Sequence, residues 1–60
     1  MVMVASFMRY DLRSDRMIQP PYKKIIQALR PQDGYVKIAG TEEDVPIESL
    51  DEEGRYYPSK

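Results

Sequence analysis

The reactive side chains of this 60-residue chain are carboxylates, amines, guanidinium groups and hydroxyls, because it has no cysteine and no histidine. That removes thiol nucleophiles, imidazole bases, disulfides and thiolate metal ligands together. The hydroxyls of Ser6, Ser14, Thr41, Ser49 and Ser59 remain, and none stands in a motif that supplies a base. Carboxylate pairs can do acid–base work only where a cleft raises one pKa. The seven acids Glu42, Glu43, Asp44, Glu48, Asp51, Glu52 and Glu53 lie instead in sequence contexts typical of exposed loops. The run Thr41-Glu42-Glu43-Asp44 lacks the D-x-D-x-D-G spacing of a calcium loop. The three glycines, Gly34, Gly40 and Gly54, are too scattered for a phosphate loop and suit the ends of elements. A non-catalytic protein without cofactor or metal is therefore expected.

Binding chemistry is better represented. Residues 1–39 carry seven Lys or Arg against three Asp, a net +4, while residues 40–60 carry seven acids against Arg55 and Lys60, a net −5. Either the acidic end folds back beside the basic one, or one end is a binding surface. Glu42, Glu43, Asp44, Asp51, Glu52 and Glu53 form the candidate face for a basic protein partner. Arg13, Arg16, Lys23, Lys24 and Arg30 form the candidate face for nucleic acid, with Tyr35, Tyr56 and Tyr57 available to stack on bases.

The elements that must hold these groups follow from periodicity. Residues 1–12 are rich in Val, Met, Phe and Tyr, with apolar side chains on both faces, which predicts a central strand or a dimer seam, with a buried N-terminal helix as the alternative that Met and Ala leave open. Arg13-Ser14-Asp15 is a turn from which residues 16–19 can return as a hairpin with Tyr10–Leu12 or lead irregularly into the next element. Tyr22, Ile25, Ile26 and Leu29 fall at i, i+3, i+4 and i+7 behind Pro20 and Pro21, which predicts a short helix over residues 20–30 ended by Pro31. Its apolar face should make the core. Tyr35 to Ala39 alternates like a strand, and Val45-Pro46-Ile47 reads as an edge strand. These two are expected to form a hairpin over residues 35–48, with the acidic loop at its tip. Residues 49–54 suit a helical turn capped by Ser49 or a plain turn, residues 55–57 a last edge strand, and residues 58–60 a frayed tail.

Phe7-Met8-Arg9-Tyr10-Asp11-Leu12-Arg13, followed by Tyr22, Ile25, Ile26, Ala28 and Leu29, resembles the opening of small ferredoxin-like proteins related to the CRISPR adaptation endonuclease. In that family a strand ends in Tyr-Asp-Leu or Tyr-Asp-Ile before a helix. The resemblance implies a ferredoxin-like fold with Asp11 at a metal site between two subunits. The family's second helix and fourth strand have no room in this length, and segment 41–53 has no counterpart.

A chain of 60 residues makes one domain at most and buries only about 60% of the surface its unfolded form exposes. Without a disulfide to staple it, a partner or homo-oligomerisation becomes a route to stability. The longest apolar run, residues 1–8, is short of the roughly 20 residues of a spanning helix and lacks a basic leader, so a cytoplasmic protein without a membrane segment is expected. The combined expectation is a single small α+β domain. It would act as an adaptor or inhibitor that docks on a larger macromolecule through an edge strand and the acidic segment. A nucleic-acid-binding module using the basic helix face is the alternative.

Overall fold

The structure is a computed structural model, and it describes residues 1–58. One long extended stretch runs through it and passes from one sheet to the other at Ser6. Its first half is β1 (Val2–Ala5) and its second half is β2 (Phe7–Asp11). The remaining strands are β3 (Arg16–Ile18), β4 (Lys23–Ile25), β5 (Tyr35–Lys37), β6 (Glu43–Val45) and β7 (Arg55–Tyr56). They make two antiparallel sheets, ordered β6-β1-β4-β7 and β3-β2-β5. β1 and β2 are thus each internal to a sheet, with a paired strand on either side.

Ser6 is held by the segment that crosses between the sheets. Its N–H donates to Thr41 Oγ1 at 3.0 Å, and the Thr41 hydroxyl donates to the carbonyl of Ile38 at 2.6 Å. Ile38 N–H donates back to the Ser6 carbonyl at 3.0 Å. Lys23 Nζ then bonds the Thr41 carbonyl at 2.9 Å and the Glu43 carboxylate at 3.0 Å. The bend is therefore closed by backbone, hydroxyl and charge together.

The expected α+β class is corrected: the fold is built of two antiparallel sheets. Among the described residues there is no α-helix, only three single 3₁₀ turns at Ile26–Ala28, Pro31–Asp33 and Ile47–Ser49. Residues 20–30, read as a helix, run extended through β4 and tighten only afterwards. The cause is a competition that helix propensity loses. Pro20 and Pro21 favour extended backbone before them, and β-branched Ile25 and Ile26 give up rotamer freedom in a helix. A helix of ten residues is marginal in any case. Pairing of Val4 with Ile25 and of Ala5 with Lys24 satisfies the same backbone groups across the sheet. Ile25 accordingly sits at φ −58°, ψ 135°.

The same residues nevertheless reach the core. Leu29 is buried with Ala5 and Phe7, and Tyr22, Ile26 and Tyr35 pack against them. Phe7 meets Tyr22 and Tyr35 edge-to-face, with centroids 5.7 and 5.3 Å away. Val4 and Val45 are the other buried hydrophobic residues of the core.

The expected 35–48 hairpin is also corrected. β5 pairs with β2 and β6 pairs with β1, so the two strands lie in different sheets. The acidic stretch is consequently a crossing between sheets that ends in an edge strand. With residues 22–29 not helical, the strand-then-helix opening of the ferredoxin-like resemblance is also absent. β7 is the last strand and lies at the edge of its sheet. Of the expected frayed tail, Ser59 and Lys60 lie outside the described residues.

Candidate binding surface

Cross-strand register decides which side chains share a face of the three-stranded sheet. Phe7 stands opposite Lys37, Arg9 opposite Ile18 and Tyr35, and Asp11 opposite Arg16; this is the face that turns Phe7 to the core. The alternate positions pair Met8 with Val36 and Tyr10 with Met17. Residues two apart on a strand and directly opposed across strands point the same way. Met8, Tyr10, Met17 and Val36 therefore form one continuous outer face, and Leu12 follows at the same parity on the hairpin tip.

That face is apolar and, beyond the half-buried Met8, exposed. Tyr10 is 44% exposed, Leu12 85%, Met17 45% and Val36 55%. Contiguous apolar exposure of this kind marks interaction sites far better than scattered single residues do. Beside it an open cleft of about 390 Å³ is lined by Arg9, Tyr10, Leu12, Asp33, Gly34 and Tyr35.

The hairpin beneath the face is locally well made. Asp15 N–H donates to the Asp11 carbonyl at 2.8 Å, and Asp15 takes a left-handed φ of 56°, which Asp tolerates better than most residues. The Asp11 carboxylate accepts the Ser14 hydroxyl at 2.8 Å and the Ser14 N–H at 3.2 Å. The Ser14 hydroxyl bond is the main reason its pKa lies below the usual 3.8. Asp11, which the family resemblance would put at a metal site, is thus turned to its own loop. Among the described residues no group of three or more acids gathers to hold a metal ion.

The two candidate charge faces are largely folded onto each other. Lys23 pairs with Glu43 at 3.0 Å and Lys37 with Glu42 at 2.7 Å, joining the basic and acidic parts of the chain. The Lys37 ammonium is the first cause of a lowered Glu42 pKa. Arg30 pairs with Asp33 at 3.1 Å. Lys24 bonds the Tyr35 hydroxyl at 3.3 Å and lies 5.0 Å from its ring centroid. Asp51 accepts the N–H groups of Glu53 and Arg55, both at 2.9 Å, and its carboxylate meets the Arg55 guanidinium at 3.1 Å. Glu53 reaches the same guanidinium at 3.3 Å.

Of the six acids proposed as a partner face, Asp44 and Glu52 alone have no such bond among the described residues, and Glu48 joins them. Of the five basic residues proposed for nucleic acid, Arg13 and Arg16 alone have no side-chain bond of this kind among the described residues, and Arg9 joins them on the same hairpin. Tyr35 is packed on Phe7, Tyr57 on Tyr22 with centroids 5.6 Å apart, and Tyr56 is half-buried in β7. The exposed ring is Tyr10.

The residues that sequence reasoning passed over are Met8, Tyr10, Leu12, Met17 and Val36. The alternation Met8, Arg9, Tyr10, Asp11, Leu12 carried a signal, since it puts three apolar residues on one side of a strand. Which side faced the core depended on Phe7 and on partners distant in sequence. Comparison of the chain with known family models, curated proteins and solved structures gave no match. Among the described residues no helix is long and apolar enough to cross a membrane.

Proposed function

We propose that this protein is a non-catalytic binding module that works by docking on another protein, and that its contact surface is the outer face of the β3-β2-β5 sheet. The observation that carries the reading is the unbroken apolar face of Met8, Tyr10, Leu12, Met17 and Val36, on a chain that buries few other side chains. Burying such a face yields hydrophobic free energy that the isolated fold leaves unused. Arg13 at the hairpin tip, and Arg16 on its returning strand on the Phe7 side of the sheet, have no ion pair among the described residues. The complementary partner is therefore apolar at its centre and acidic at its rim.

The acidic segment is the weaker surface, because Glu42, Glu43, Asp51 and Glu53 are engaged within the chain. Nucleic acid is weaker too, since the helix that would have grouped Lys23, Lys24 and Arg30 does not form.

The test is capture from an extract of the protein's own cells, with the parent and with the double variant Leu12→Asp, Met17→Asp. The parent should retain a protein that nuclease treatment does not release, and the variant should lose it while melting at the parent's temperature. Equal capture by the variant would remove the outer face from the reading. Release by nuclease would favour nucleic acid instead.

A further inference from the structure

The partner surface that the hairpin end requires, apolar with an acidic rim, is present on this chain itself. At the start of β1, Met1 and Met3 are exposed, and so is Ile47 just beyond β6. Asp44 stands opposite Met3 in the β1–β6 register, and Glu48 follows Ile47. Both carboxylates are exposed and without an ion pair among the described residues. Met1, Met3 and Ile26 line an open cleft of about 360 Å³.

The seven exposed large hydrophobic residues thus divide between two places. Tyr10, Leu12, Met17 and Val36 lie on or beside the hairpin that carries Arg13 and Arg16, neither in an ion pair among the described residues, and Met1, Met3 and Ile47 go with Asp44 and Glu48. The two sets lie toward opposite ends of the long β1–β2 stretch, in a molecule measuring 34 × 20 × 20 Å.

We infer that the protein associates head to tail with a second copy of itself. The Leu12 tip of one copy enters the cleft at Met1 and Met3 of the next, with Arg13 and Arg16 set against Asp44 and Glu48. This rests on the docking reading above and names its partner. The contact is heterologous, so each copy keeps one free end of each kind, and a chain or ring follows rather than a closed two-fold dimer. Pairing of opposite charges across it makes association sensitive to salt.

The experiment is sedimentation velocity over a concentration series at low and high salt. The parent is run beside Arg13→Glu, Arg16→Glu and beside Asp44→Lys, Glu48→Lys. All four positions are exposed, and circular dichroism checks that each variant keeps the parent's fold. The parent's mass should rise with concentration and fall back with salt. Each variant alone should stay monomeric, because like charges then face each other. Mixed in equal amounts, the two variants are complementary at both kinds of contact, the unaltered ends pairing as in the parent and the altered ends pairing with their charges exchanged. That mixture should therefore associate again, its mass rising with concentration as the parent's does.

A parent that is monomeric at millimolar concentration in low salt would overturn the self-association. So would a mixture that stays monomeric. Should a variant misfold, the salt dependence of the parent alone still decides. Failure of the head-to-tail contact with continued capture of another protein at the Leu12 face would leave the docking reading standing. Failure of both would remove the surface altogether.

Discussion

Asp51 shows how much of this small structure rests on single polar side chains. Gly54, at φ 77°, and the Asp51 carboxylate together build the turn that delivers Arg55 into β7. The Arg55 N–H is the first cause of a lowered Asp51 pKa, joined by the Glu53 N–H and the Arg55 charge. A carboxyl whose folded pKa lies below its unfolded one stabilises the fold above the unfolded value, near 3.8 here, and loses that contribution as pH falls through the folded value. Asp51→Asn keeps one acceptor oxygen and removes the charge. It should lower the thermal midpoint slightly at neutral pH, the group being solvent-exposed and screened. The gap between parent and variant should close as the pH is taken below the ordinary carboxylate range. Thermal melts across that range check it, and a gap that persists in acid would assign the effect to shape rather than charge. In the sequence Asp51 was one of six acids offered to a partner. Its neighbours at two and four residues' distance, which it in fact serves, were in plain view, but only the turn geometry turns that spacing into bonds.

At the scale of elements, the bend at Ser6 decides the architecture, and Thr41 fastens it. The hydroxyl accepts from Ser6 N–H and donates to the Ile38 carbonyl in a half-buried setting. Thr41→Val preserves the shape and deletes both bonds, leaving the Ser6 donor unpaired. An unsatisfied buried donor costs about 1–3 kcal/mol, so the variant's urea midpoint should fall with the slope of the transition unchanged. A loss well under 1 kcal/mol would mean that water replaces the hydroxyl. Sequence reasoning reached part of this level. The extended N-terminal stretch, its return through residues 16–18 and a strand at residues 35–37 all follow from local patterns that tertiary contacts reinforce. Residues 20–30 do not, because Tyr22, Ile26 and Leu29 point to the core whether the backbone is helical or extended. An amphipathic pattern ten residues long is readable both ways, and long-range pairing with β1 chooses between them. The 35–48 hairpin failed for the same reason. Adjacent strands in sequence usually pair, but here each was claimed by a different half of the bent stretch.

The molecule as a whole is looser than its length requires. Its Cα radius of gyration is 11.5 Å, where a compact chain of this size has about 10 Å. The excess fits two small sheets strung along one stretch, with a core of Val4, Ala5, Phe7, Leu29 and Val45 and a bare apolar face at one end. For such a fold the isolated monomer is one state and the associated chain another, and association adds stability only at concentrations that populate it. Val36→Thr together with Leu12→Thr separates the two. Both side chains are exposed, threonine keeps the strand preference of valine, and exposed substitutions of this kind change monomer stability by about 0.5 kcal/mol or less. In dilute solution the parent and the variant should therefore melt together. As concentration rises, the parent's midpoint should climb, because copies bound through the outer face must part before they unfold. The variant's midpoint should stay where it was. Calorimetry over a hundredfold range of concentration measures the difference directly. Parallel behaviour of the two proteins over that range would mean that the exposed face contributes to no contact between copies, whatever else it binds.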